Sequence, residues 1–281
     1  MPEGHTLFRL ARDLSAAFAG QRVVVSSPQG RFADAADLLN GDVLESAESW
    51  GKHLFIDFAG GQTVHIHLGL YGSFDIHAGD LQAGEAPAPV GQVRLRIVGP
   101  SAYADLRGAT ACELVTDEQR ERICDGLGPD PLRSDADPDR AWRRIKRSRQ
   151  PIGQLLMDQS VLAGVGNVYR AEVLFRQRID PMRPGHTLRR AQFDALWNDL
   201  VELLAEGVRV GRIDTVRDEH TPEAMGRAPR KDDHGGEVYV YRRHEQACHV
   251  CGATVRTAVL AGRNLFWCPR CQRRFRSRAV G

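Results

Sequence analysis

Four cysteines near the C-terminus carry the clearest chemical signal in the chain. Cys248-x2-Cys251 and Cys268-x2-Cys271 are two CxxC pairs separated by sixteen residues. Each pair sets two thiolates on one tight turn, and the intervening length suits a β-hairpin that brings the turns together. Four soft ligands in a tetrahedron make a structural zinc site, closed to water. The competing pattern is two disulfides or redox pairs, which spacing and a cytoplasmic setting disfavour. Zinc would also hold folded a segment of about forty residues that has too little core alone. Cys112 and Cys124 fall outside the pattern and read as ordinary thiols. Arg263 lies between the pairs, in AGRNLFWCPRC, where a hairpin tip would sit.

At the other end the chain opens MPEGHT. Removal of Met1, which a small second residue permits, would expose the secondary amine of Pro2, followed by the acid Glu3 and the flexible Gly4. These residues alone allow two readings: a leader to a helix, or an amine meant to be used. An N-terminal amine titrates near about 7.7–8.0, against about 10.4 for lysine, so its neutral, nucleophilic form is far more available. Other amines are scarce, since Lys52, Lys146 and Lys231 are the only lysines.

A third stretch, DQSVLAGVGNVYRAEVLF (158–175), reads helix, Gly-Val-Gly turn, helix, with Asn167 at the N-cap position. A glycine turn feeding a helix N-terminus offers bare backbone N–H groups and the positive end of a helix dipole, a ready phosphate cradle. A plain connection between helices is the simpler reading of this stretch taken alone. His65 and His67 form an HxH pair, but the sequence offers no evident third metal ligand, and a strand surface accounts for them.

The elements that must position these residues fall into blocks. LFRLARDLSAAF (7–18) spaces Leu7, Leu10, Leu14 and Phe18 for an amphipathic helix. From about 21 to 115 the pattern becomes short and alternating: QRVVVSS, HLFIDF, TVHIHLGLYGSF, VRLRIVG and ACELV read as strands, with a hairpin turn at Gly60-Gly61 and a flexible loop over 78–91. An antiparallel sandwich or barrel is the natural packing. A Pro/Gly/Asp linker over 126–139 precedes helical periods in RAWRRIKRS, GQLLMDQSVLAG, NVYRAEVLFRQR and RRAQFDALWNDLVELLAEGV. Residues 211–240 are polar, rich in Gly and charge, and expected to be mobile. At 42% hydrophobic and 26% charged, the chain fits an ordinary globular protein. No apolar run reaches membrane-spanning length and no secretory leader is present, so the cytoplasm is the default location. A net charge of +2 does not announce a nucleic-acid binder, but RAWRRIKRSR (140–149) and RCQRRFRSR (270–278) concentrate cations while 115–137 is mostly acidic.

Taken together and in order, the motifs resemble the formamidopyrimidine-DNA glycosylase/endonuclease VIII family over essentially the whole chain. PEG (2–4) is similar to its N-terminal signature, GKHLFI (51–56) to its lysine-bearing strand, and HLGLYGSF (67–74) to the segment with its DNA-wedging residues. LAGVGNVYRAEVLF (162–175) resembles its helix–two-turns–helix motif, and the four cysteines its zinc finger. The resemblance implies an α+β multidomain fold. An N-terminal helix with an antiparallel β-sandwich (1–125) and the linker (126–139) would precede a helical helix–two-turns–helix domain (140–240) and a zinc-finger β-hairpin (241–281).

The resemblance also implies a monomeric enzyme of damaged DNA, independent of membranes, with one structural zinc and no other cofactor. It would excise an oxidised base and cleave the strand, with Pro2 as nucleophile and Glu3 as proton shuttle. Lys52 would bind phosphate near the lesion. Asn167, Gly166 and Arg263 would grip the backbone, and Leu70 and Tyr71 would fill the gap in the stack. Alternation along the strand argues instead for Leu70 as core, unless Gly69 breaks it. The sequence departs from the family in two places. Thr6 stands where members often have a second acid. ADLRGATA (104–111) lacks the aromatic of the purine-specific enzymes, although Arg107 matches their wedge arginine. The PEG leader and LYG (70–72) point to the endonuclease VIII branch and oxidised pyrimidines. The alternatives are an oxidised-purine glycosylase/lyase, a non-catalytic damage binder, and a zinc-ribbon interaction module unrelated to DNA.

Overall fold

The structure is a computed structural model that describes residues 2–79, 81, 85–231 and 236–276. The 78–91 loop, the polar stretch 211–240 and the second basic run each pass in part through residues outside that set, namely 80 and 82–84, 232–235, and 277–278. The chain divides into two compact units, Met1–Gly126 and Leu127–Gly281.

In the first unit α1 (Gly4–Phe18) leads into β1 (Gln21–Arg22), β2 (Val24–Ser26) and α2 (Ala33–Leu39). Then come β3 (Val43–Trp50), β4 (His53–Phe58), β5 (Thr63–His67), β6 (Ser73–Ala78), β7 (Val93–Val98), β8 (Ala102–Arg107), β9 (Ala111–Val115) and α3 (Asp117–Asp125). The strands form two antiparallel sheets, ordered β1-β3-β4-β5-β9 and β2-β7-β8-β6. Leu54, Ile56, Val64 and Ile66 of the first sheet and Leu95, Ile97, Ala104 and Leu106 of the second share one core, as a sandwich requires. The expected spacing on α1 buries Leu7, Leu14 and Phe18, with Ala11 on the same face, while Leu10 is only half-buried. Ser15 fixes the helix to β3: its Oγ donates to the Ala47 carbonyl at 3.2 Å and accepts from the Ala47 N–H at 2.9 Å.

Several strand expectations change, and QRVVVSS divides into β1 and β2, which belong to different sheets. TVHIHLGLYGSF is two strands in different sheets, β5 and β6, because the chain turns at 68–72. Gly69 has φ +69°, and a Cβ on Gly72 would stand 2.3 Å from the Leu68 carbonyl oxygen, so both positions need glycine. The strands β3 and β8 lay outside the sequence expectations. In β8 the disguise is Asp105, a buried carboxylate in a core strand, held by Arg96 Nε at 2.8 Å.

The second unit contains α4 (Pro138–Arg147), α5 (Ile152–Leu155), α6 (Asn167–Arg176), α7 (Arg190–Val210), α8 (Pro222–Met225) and the hairpin of β10 (Arg256–Leu260) and β11 (Arg263–Trp267). Short 3-10 turns lie at Gly185–Thr187 and Asp218–His220. The helix expected over 153–164 shrinks to the single turn α5. Beyond it the backbone is organised by side chains: Asp158 Oδ1 accepts from the Ser160 N–H at 2.9 Å, and Gln159 donates to the Val165 carbonyl at 2.9 Å while accepting from the Gly164 N–H at 3.1 Å.

Glu172, fully buried on α6, joins the helices to the segment before the cysteines. Its carboxylate accepts the backbone N–H groups of Tyr239, Val240 and Tyr241 at 2.7, 2.9 and 2.8 Å and the Thr215 hydroxyl at 2.6 Å. Among the described residues no helix is long and apolar enough to cross a membrane.

Candidate active site and zinc centre

Pro2 precedes the first turn of α1 and is half-buried, while Glu3, the N-cap, is wholly buried. The Glu3 N–H donates to Thr6 Oγ1 at 3.4 Å, and the Thr6 N–H to the Glu3 carbonyl at 2.9 Å, so Thr6 helps to close the helix start. His5 is buried beside Thr6, and burial pushes its pKa down to about 4, with the positive charges of the N-terminus and Arg9 adding to the effect.

Lys52 sits in the two-residue turn between β3 and β4, where Gly51 has φ +60° and Trp50 pairs with His53. The sequence placed this lysine on a strand; the tight turn projects it from the strand ends instead. Beside it lies a histidine cluster that the sequence did not reveal. His53 Nδ1 meets His65 Nε2 at 2.8 Å, and His65 Nδ1 meets Glu113 Oε1 at 3.1 Å. His67 packs edge-on against His53 and bonds Thr110 Oγ1 at 2.9 Å. Burial lowers the pKa of His53 to about 3, helped by positive charge at His65, His67 and Lys52, and lowers that of His67 for the same leading reason. His65 is only 5% exposed, so a strand surface does not describe it. The signal was present in the register: the Gly60-Gly61 turn pairs Phe55 with His65, which brings His53 alongside His65 and His67.

Leu70 and Tyr71 stand in the turn after β5 and are 40% and 90% exposed, while Leu68 is buried. Gly69 breaks the alternation that would have buried Leu70. Arg107, at the end of β8, is engaged by Asp75 at 3.0 Å, by Asp105 at 2.8 Å and by the Val90 carbonyl at 3.0 Å.

In the second unit Asn167 is the first residue of α6, and Gly166 is the N-cap, with extended backbone (φ −119°). This corrects the expected N-cap: the Gly166 carbonyl accepts the first helical bond, from the Arg170 N–H at 2.9 Å. The Asn167 side chain instead reaches the Asn264 carbonyl on β11. Arg263 opens that strand, exposed, after a turn in which Ala261 and Gly262 have φ of +47° and +72°. Helix start and hairpin tip, far apart in sequence, thus meet.

The four cysteine sulfurs lie within 4.8 Å of one another, with Cys248–Cys271 at 3.9 Å and Cys251–Cys268 at 3.4 Å. Zinc–sulfur bonds of about 2.3 Å put tetrahedral sulfurs about 3.8 Å apart, so the residues fit a structural zinc ion. All four are free of disulfides. They form the only group of metal-ligand type among the described residues, and the histidine cluster is not one.

Residues 1–112 match the formamidopyrimidine-DNA glycosylase N-terminal domain, 127–218 the formamidopyrimidine-DNA glycosylase H2TH domain, and 245–274 a zinc finger found in FPG and IleRS. The chain belongs to the formamidopyrimidine-DNA glycosylase/endonuclease VIII family, whose members are DNA glycosylases of base excision repair. It is similar to Endonuclease 8 1 of Mycobacterium tuberculosis, at 56% identity over 275 residues covering 97% of this chain and 100% of that protein. The formamidopyrimidine-DNA glycosylase of Stutzerimonas stutzeri is 31% identical over 281 residues, covering 97% of this chain and 100% of that protein. Among solved structures, Lactococcus lactis formamidopyrimidine-DNA glycosylase bound non-covalently to DNA with an AP site has a TM-score of 0.76 at 22% identity, covering 97% of this chain and 100% of that one. That likeness speaks to the fold.

Proposed function

We propose that the chain, once Met1 is removed, is a bifunctional DNA glycosylase and abasic-site lyase that excises oxidised bases, pyrimidines in preference. The observation that carries this reading is the placement of Pro2 and Glu3. A solvated helix leader has no reason to bury a carboxylate completely one residue from the amine. In this reading the neutral Pro2 amine attacks C1′ of the damaged nucleotide, and the base leaves with the bonding electron pair. Opening of the sugar gives an iminium, which acidifies C2′; loss of that proton expels the 3′ phosphate. Glu3 moves the protons that sugar opening and elimination require.

Lys52 supplies positive charge for a phosphate near the lesion, and His53 beside it is kept neutral by burial. Asn167, Gly166 and Arg263 hold the backbone of the damaged strand, and zinc keeps the hairpin carrying Arg263 folded. Leu70 and Tyr71 occupy the space of the extruded nucleotide, which their exposure permits. Arg107 reaches DNA only by exchanging its bonds to Asp75 and Asp105. The pyrimidine preference is supported by the PEG leader, by LYG at 70–72, and by the name Endonuclease 8 carried by the relative at 56% identity.

The test is borohydride trapping on labelled duplex containing an abasic site or thymine glycol, with the crosslink mapped by mass spectrometry. The expected adduct is at Pro2 and disappears when Met1 is retained. Binding of both duplexes without any adduct would turn the reading to a damage binder without turnover.

A further inference from the structure

Five cations line a cavity of about 350 Å³ in the second unit: Arg227, Arg230, Lys231, Arg242 and Arg243. A volume of this order lies in the range of small-ligand sites. One carboxylate, Glu237, shares the lining and is already engaged. It accepts from Arg227 Nη2 at 2.6 Å and from the Arg230 N–H at 2.5 Å.

Arg243 is the decisive residue. It is only 5% exposed. Among the described residues, the hydrogen-bond partners of its guanidinium are all uncharged. They are the carbonyls of Val238 (3.5 Å), Tyr239 (2.6 Å) and Ala247 (2.8 Å), Gln246 Oε1 (3.2 Å) and the His249 ring (3.4 Å). No carboxylate bonds it directly; the buried Glu172 lies near enough to favour its charge, and the cavity lining still holds more cations than carboxylates. The exposed Lys231 and Arg242 add to that excess from the rim.

We propose that this cavity binds a phosphate group, and that in the working protein the phosphate belongs to a DNA strand beyond the part held by Asn167 and Arg263. Five cations around a single carboxylate leave the lining with an excess of positive charge, which suits the oxygens of a phosphate better than a flat, neutral ligand. The assignment to DNA rests on the glycosylase reading above; the phosphate site itself does not. Asp232 and Asp233 follow Lys231 in the chain and lie outside the described residues, so the experiment includes them.

The test uses the full-length, zinc-loaded protein. Its thermal midpoint is measured with inorganic phosphate against chloride at matched ionic strength. The salt dependence of its affinity for an undamaged duplex is measured alongside. Wild type is compared with R242Q/K231Q, which alters exposed side chains only, and with D232N/D233N. Phosphate should raise the wild-type midpoint, and R242Q/K231Q should lose most of that rise. The slope of log affinity against log salt should also become shallower in R242Q/K231Q, by about one to two.

Loss of the phosphate response with an unchanged slope keeps the phosphate site and moves its source from DNA to free phosphate or a nucleotide. A wild type that answers to phosphate yet binds no DNA breaks the glycosylase reading and leaves the site standing. No response in wild type or in D232N/D233N overturns the site. So does a response that R242Q/K231Q leaves intact. A response confined to D232N/D233N overturns it as well, because the chain's own carboxylates then fill the cavity.

Discussion

The side-chain amide of Asn167 donates to the backbone carbonyl of Asn264 at 3.0 Å. Arg170 Nη2 donates to the same oxygen at 2.8 Å and also holds Asn167 Oδ1. One carbonyl on the finger hairpin therefore registers the start of α6 against Arg263, its neighbour in the chain. In Asn167→Ala that carbonyl keeps Arg170 alone. We expect duplex affinity to fall about 10-fold by fluorescence anisotropy, an effect of about 1.4 kcal/mol. The thermal midpoint should drop by only a few degrees.

Glu172→Gln tests a different dependence. Three backbone N–H groups converge on this carboxylate, and an amide would turn its own N–H₂ toward one of them. A loss of about 3 kcal/mol is expected in denaturant unfolding, since hydrogen bonds to a buried charge are the strong ones. A variant as stable as wild type would mean that the segment over 239–241 does not need this anchor.

Acid should destabilise the first unit in a defined window. Folding holds His53 near 3 and His5 near 4, both below the ordinary 6.5, with burial the main cause. The folded state therefore binds fewer protons than the unfolded one between those values. The stabilisation is complete above about pH 6.5 and drains away as pH falls toward 4, by about 1.4 kcal/mol per pH unit for each histidine. Unfolding free energies at pH 7 and pH 5 would show it. His53→Gln should flatten the slope by one proton.

Leu70 and Tyr71 separate function from folding. Both side chains are exposed, so Leu70→Ala with Tyr71→Ala should leave the thermal midpoint within about a degree. Affinity for an abasic duplex should fall at least 10-fold, with a smaller change for intact duplex. Equal losses on both duplexes would contradict a stack-filling role.

Local chemistry was legible in the sequence, and long-range chemistry was not. The cysteine spacing and the α1 face need only neighbours along the chain, and both are read directly. The exposure of Leu70 turned on one glycine conformation, which the residue type only suggested. The histidine cluster required the register of two strands. Glu172 could not have been found, because its partners are backbone N–H groups that every residue carries. The strand β8 was hidden for a related reason: Asp105 looks misplaced in a core strand until Arg96 is seen beside it.

The anchoring of Glu172 also has a consequence for synthesis. Its farthest partner, the N–H of Tyr241, lies 69 residues downstream. At 5–20 residues per second a ribosome needs about 3–14 s to cover that distance. During that interval the nascent α6 carries a carboxylate that cannot be buried, so the helical region has reason to stay open until the segment leading to the finger has emerged. Helices and finger would then close in one late step. A stop codon placed between Thr215 and Tyr239 should yield a protease-sensitive chain rather than a stable helical fragment.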